Sequence, residues 1–414
     1  MKTMERASGV RTAWLAWTGA VLVSVGLIAL AHYTTRDPDS RLYAGIAARL
    51  SQQPLAQWIA PEWWGFWGLQ GPYCEHPVGI FLAPAALARI GFPAEQAAYA
   101  ANVIYQAASL ILVVLIARVF VDPGEARALG WLLQLLPIAF VFRIRANHEY
   151  ALLAGLLLAV YSTERARSRP AWALGMIAGF CAVLIVKGVF ALLVPLTCVI
   201  WLVARAGQPG GTRSTWPAWA AVGMMPVVGT LLAWGYETAY VHATGRSFLA
   251  VYQTRQVPTG ALTSGPVWLR VPNTAVWYLA RVFWYAFPWS VFAGWLAWRG
   301  AKTGAIWPWV RRGRGALSDV ASTARQGAWF AIVSGLAMTG GLSLAHRKAD
   351  RYLFPVYFMV GAVGALAAVR EIAWLRRLAD QLDRPWVPAA IYLVLFLAGL
   401  VTAGSLPVFT FWRS

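Results

Sequence analysis

Apolar residues in this chain come in long unbroken runs, separated by short basic segments. A run of roughly 20 apolar residues crosses the hydrocarbon core as a helix, which satisfies its own backbone groups in lipid. Such runs occupy Thr12 to Ala31, Ala97 to Ala117, Trp216 to Tyr240, Ala328 to Ala345 and Ala389 to Val408, and Ala171 to Leu202 is long enough for two spans. The alternating ten-residue segments of a membrane barrel do not occur. The pattern predicts an all-α integral membrane protein of about eleven spans.

Two apolar stretches need separate treatment. The first follows Lys2, Arg6 and Arg11 and ends at His32-Tyr33-Thr34. It is longer than the core of a secretory signal and lacks a small-residue cleavage site, so a retained span at 12–31 with a cytoplasmic N-terminus is expected. Pro77 to Ile90 is short and contains Pro84. If it spanned, every later loop would invert and Arg311, Arg312 and Arg314 would face outward. Basic loops favour the cytoplasm, so this stretch is expected to lie along the membrane as a juxtamembrane helix. One transmembrane domain over 1–414 follows, with a first outer loop at 32–93, the remaining spans at 94–408 and no soluble C-terminal domain. By the same rule about 20 of the 35 Lys and Arg face inward, in the loops around Arg118, Arg165, Arg205, Arg311 and Arg376.

Composition agrees with this layout. Hydrophobic residues make up 59% and charged residues only 12%, half the share usual in soluble domains. The formal charge of +19 reads as the orientation signal rather than a nucleic-acid footprint, since no zinc finger or aromatic-basic RNA module accompanies it. Cys74, Cys181 and Cys198 lack metal-ligand spacing.

The segments left outside are rich in chemistry. They run from Ala31 to Pro93, Arg143 to Tyr150, His242 to Asn273 and His346 to Tyr352, with a short turn at Lys187-Gly188. Acids there include Asp37, Asp39, Glu62, Glu75, Glu95, Glu149 and Asp350; bases include Arg143, Arg145, Lys187, Arg246, Arg255, Arg347, Lys348 and Arg351. Positive charge on the outer side runs against the orientation rule, and an anionic lipid phosphate would account for it; pairing with nearby acids or with headgroups is the plainer alternative. Trp58, Trp63, Trp64 and Trp67 suit an interfacial belt or a wall for a sugar or lipid chain. No internal repeat supports a transporter of two related halves.

Several motifs resemble one family in its order. Asp39-Ser-Arg-Leu-Tyr-Ala-Gly-Ile-Ala-Ala-Arg-Leu50, Tyr73-Cys-Glu-His-Pro-Val78, Arg143-Ile-Arg-Ala-Asn-His-Glu-Tyr150, Lys187-Gly188 with Pro195, Thr244-Gly-Arg-Ser-Phe-Leu249, Phe287-Pro-Trp-Ser290 and Arg351-Tyr-Leu-Phe-Pro355 are similar to elements of the multi-spanning glycosyltransferases that use polyprenyl-phosphate sugars. That family has the GT-C fold and includes the protein O-mannosyltransferases and lipid A aminoarabinose transferases. Departures are Ser40 for a second acid, His76 for a lysine, Val78 for a proline and Glu149 for an aspartate. The resemblance implies an inverting sugar transfer on the outer face of a bacterial-type inner membrane, from a polyprenyl-phosphate donor to a lipid, glycan or protein acceptor. Asp39 would be the general base, with an N-cap role as the alternative and Asp37 in reserve. Lys187, Arg246, Arg255, Arg347, Lys348 and Arg351 would meet the lipid phosphate. Tyr43, Glu75, His76, Arg145, His148 and Glu149 would contact substrate; a divalent ion at the Glu–His pairs is a minor alternative and no metal site is predicted. A lipid or solute transporter or flippase, or a non-catalytic subunit of a glycan-assembly complex, are the competing functions.

Overall fold

A computed structural model describes residues 2–63, 70–206, 215–256, 267–302, 319–343 and 349–402. Among these residues all regular elements are helices, apart from one isolated bridge between Glu62 and Pro72. The helix ends sort into two rims, a basic one and one carrying the acids and bases discussed above.

α1 (Lys2–Leu30) starts at the basic rim, where Gly9 meets Pro385, and ends where Tyr33 Oη donates to Ile144 O at 3.1 Å. The first loop then folds into α2 (Pro38–Gln52) and α3 (Gly79–Arg89). At 11 residues, α3 is about 16 Å long, half of what a span needs. It packs on α2, with Tyr43 and Phe81 rings 6.1 Å apart. Pro77 to Ile90 therefore holds a short helix packed on α2, too short by itself to reach across a membrane.

α4 (Ala97–Ala117) returns to the basic rim. α5 (Pro123–Leu132) and α6 (Pro137–Arg143), joined by a 3₁₀ turn, make a pair bent by 71°. Pro137 has no N–H to continue the helix, and carbonyls freed at such a break need new partners. Arg143 meets one of them: fully buried, it donates to Gln134 O at 3.2 Å, and it also donates to Tyr392 O, far later in the chain, at 3.0 Å. Arg143 is thus a structural clamp, a correction to its placement among the outward-facing bases.

α7 (Glu149–Ala166), α8 (Trp172–Lys187) and α9 (Leu193–Arg205) form a tight trio. Glycines let α7 and α8 touch: a Cβ on Gly179 would lie 2.5 Å from Gly155 O. Small residues of this kind draw membrane helices together. The 34-residue apolar stretch Trp172–Arg205 folds back on itself. Trp172 packs on Tyr161 and Arg205 bonds Glu164, both at the basic rim, whereas Lys187 pairs with Glu149 at the other. The reversal sits at Gly188, whose φ of +58° suits glycine.

α10 (Trp216–Thr244), α11 (Phe248–Gln256), α12 (Val267–Tyr285), α13 (Trp289–Lys302) and α14 (Asp319–Ser343) follow. A 3₁₀ turn at Asp350–Leu353 leads into α15 (Phe354–Glu371), then α16 (Ala373–Gln381) and α17 (Val387–Thr402). Among the described residues, five stretches are long and apolar enough to cross a membrane, and the bent pair makes a sixth. The expected count of about eleven reaches further, to shorter or more polar helices such as α17 and α7.

Candidate active site

The site is assembled at the rim opposite the basic one, where α2, α7, α8 and the turn before α15 end. Asp37, not Asp39, caps α2: its Oδ2 accepts from Ser40 N at 2.9 Å and from Ser40 Oγ at 2.6 Å. Pro38 at the first helical position already marked the residue before it as the cap. This corrects the cap alternative for Asp39 and gives Asp37, the reserve candidate for the base, a capping role. Asp39, released from capping, lies in the first turn and pairs with Arg351.

Ser40 Oγ also accepts from Ala146 N at 3.2 Å, and Asp37 Oδ1 lies 3.3 Å from Arg145 Nη1. This latch ties the first turn of α2 to the loop leading into α7. Arg145 contributes through the latch and stacks over Phe142 at 5.2 Å.

Glu149 is the centre of the cluster and is 1% exposed. Its Oε1 lies 3.6 Å from Lys187 Nζ, 3.8 Å from Arg351 Nε and 3.2 Å from His148 Nε2. None of these approaches has hydrogen-bond geometry, so neither carboxylate oxygen accepts a hydrogen bond among the described residues. Buried carboxylates rarely stay so; this one has its charge balanced but its lone pairs open. Lys187 is held by Phe190 and Tyr352, whose ring centroids are 4.7 and 5.0 Å away, a cation–π cradle that sequence reading missed because its two rings are 162 residues apart. Arg351 reaches both carboxylates. Its turn is fixed by Asp350, which takes bonds from Arg281 at 2.9 Å and Tyr285 at 2.8 Å.

Beside the charges stands an aromatic wall. Tyr43 contacts His148 at 5.7 Å and His76 at 6.4 Å, and the two imidazoles meet edge-on at 4.9 Å. Burial, reinforced by Lys187 and His76, pushes the His148 pKa well down, so its ring is neutral. Burial likewise raises the Tyr43 phenol and keeps it protonated. Glu75 lies close enough for its charge to act on Tyr43 and Tyr73. Trp63 departs from the belt reading, being buried against Tyr73 at 4.7 Å; Trp64 and Trp67 lie outside the described residues.

Of the other expected residues, Arg246 does not join the cluster among the described residues. Arg246 is exposed near Gly71. Arg255 falls in α11, and its side chain lies outside the description, as do Arg347 and Lys348. Among the described residues, no three His, Cys, Asp or Glu gather as a metal would require.

Comparison with known proteins agrees with the motif resemblance. Residues 75–234 match the family model described as dolichyl-phosphate-mannose-protein mannosyltransferase. The crystal structure of ArnT from Cupriavidus metallidurans bound to undecaprenyl phosphate superposes with a TM-score of 0.54 at 16% identity, over 97% of this chain and 77% of that one. Its apo state gives 0.49 at 15% identity, over 97% and 76%. No curated protein sequence matches.

Proposed function

We propose that this chain, a polytopic GT-C glycosyltransferase of the polyprenyl-phosphate-sugar type, transfers a sugar from such a donor to an acceptor at the outer face of an inner membrane, with inversion and with Asp39 as base. What carries the reading is the meeting of Asp39, Glu149, Lys187 and Arg351 at one rim, although they come from four separate parts of the chain. The undecaprenyl phosphate bound by ArnT supports the class of donor. The orientation rests on the opposite rim, where Arg127, Arg167, Arg205 and Arg370 pair at helix ends. Basic ends favour the cytoplasm, which supports an N-terminus inside and a site outside.

The residues divide the work as follows. Lys187 and Arg351 receive the lipid phosphate and stabilise the charge it gains as the anomeric C–O bond breaks. A phosphate competes with Asp39 for the Arg351 guanidinium, which forks onto either anion. Asp39 is then free to take the proton from the acceptor hydroxyl or amine as that group attacks from the other side of the sugar. Glu149, with open lone pairs, accepts sugar hydroxyls, while Tyr43, His76 and His148 lie along the ring.

Asp39→Asn keeps the shape and removes the base. Reconstituted with native lipid extract, it should express and fold normally while forming no glycosylated product by mass spectrometry. Transfer at the wild-type rate would remove Asp39 from the base role.

A further inference from the structure

A cavity lies inside the bundle, away from the charged cluster. Its volume is about 400 Å³, and it is walled by α4, α5, α7, α13, α14 and α15. On α7 its lining residues include Leu153, Leu156 and Val160, the face that also carries Glu149 one turn further on. On α15 it runs from Pro355 to Arg370, about 22 Å of helix. Phe330 and Ala331 of α14 close another side.

Its polarity is graded along its length. Lining side chains are apolar until the basic rim, where Arg370 and Glu371 form the mouth. Both signs are present there: Arg370 is paired with Glu125 and Glu371 with Arg299. All four side chains are between 18% and 54% exposed. A deep apolar slot ending in a zwitterionic rim at an interface matches an amphiphile with one long chain inside and a head of both charges outside. None of Asp39, Glu149, Lys187 and Arg351 lines it, so a phosphate held at the catalytic rim is not at its mouth.

We infer that this cavity is a binding site for one acyl chain of a zwitterionic phospholipid, entering from the leaflet at the basic rim. The phosphate rests at Arg370 and the amine at Glu371. The site does not depend on the proposed sugar transfer. It does place a lipid chain on the α7 face that ends at Glu149, so the filling of the slot supports the helix that carries the site.

The test is lipid retention by the full chain purified in detergent and read by native mass spectrometry. The expected result is about one phospholipid per chain surviving detergent exchange, falling about fivefold in Ala331→Trp and Val363→Trp, because an indole occupies the space an apolar guest would take. The lipid-facing Val401→Trp should leave retention unchanged. No retained phospholipid, retention indifferent to both cavity substitutions, or a retained polyprenyl phosphate instead would each overturn the inference. If the filled variants do not fold, a phospholipid with a photoreactive acyl chain decides on the wild type. Crosslinks to α7, α14 and α15 peptides are expected, and crosslinks confined to outer helix faces refute it.

Discussion

Ser40→Ala tests whether the latch between α2 and the loop before α7 sets the geometry of the site. The hydroxyl is fully buried, donates to Asp37 Oδ2 at 2.6 Å and accepts from Ala146 N at 3.2 Å. Hydrogen bonds to a charged partner contribute about 1.5–3 kcal/mol, and a buried N–H left without an acceptor costs about 1–3 kcal/mol. The two losses share one hydroxyl, and Asp37 keeps both its Ser40 amide bond and Arg145, so a local loss of about 2–4 kcal/mol is expected. Asp39 is the adjacent residue. Displacement of a catalytic group by about 1 Å can lower turnover about 100-fold. The variant should therefore lose between about 10-fold and 100-fold in kcat, with KM for the donor little changed. Nanodisc-embedded protein, labelled donor and product quantified by mass spectrometry give the rates, and tryptophan fluorescence on heating gives stability. Turnover within twofold of wild type at an unchanged unfolding temperature would refute the latch as the positioning element.

Three further substitutions separate the roles. Lys187→Met should lower kcat/KM by at least about 100-fold by removing a cation from the phosphate site, and the same heating assay controls for the loss of one of the two cations beside buried Glu149. Arg246→Ala should stay within about threefold in transfer rate, since an exposed arginine outside the cluster holds little. Gly364→Ala places a Cβ 1.8 Å from Trp289 O, so α13 and α15 must part. A loss above about 3 kcal/mol, seen as aggregation or a sharply lowered unfolding temperature, is expected.

Some of this could be read from residue order and some could not. The expectation that Pro77 to Ile90 lies along the membrane drew on its short length and Pro84, which are local, and on the basic loops that follow it, which are not. Lys187 stood out because it interrupts an apolar run, and the Glu149 region because polar residues at that depth are rare. The cap at Asp37 was within reach, for Pro38 marks it. Arg143 was not: its burial depends on a break at Pro137 and on a carbonyl from Tyr392, 249 residues later. The Lys187 cradle was hidden for the same reason, since Tyr352 arrives from a distant turn. That Arg246 lies exposed beside Gly71 was hidden too, because motif order carries no information on which bases converge.

The glycine contact between α7 and α8 bears on how such a chain could acquire new substrates. α7 is anchored at both extremities, to Lys187 and Arg351 at one and, through Glu164, to Trp201 and Arg205 at the other. A strut held in this way, with backbones in contact along it, cannot tilt without breaking both anchorages. Adaptation must then come from the segment at 31–93, which hangs from the frame by α2, α3 and the Ser40 latch. Grafting that segment from a related chain, with Ser40 and Asp37 retained, is the shortest route to an altered acceptor preference without rebuilding the bundle.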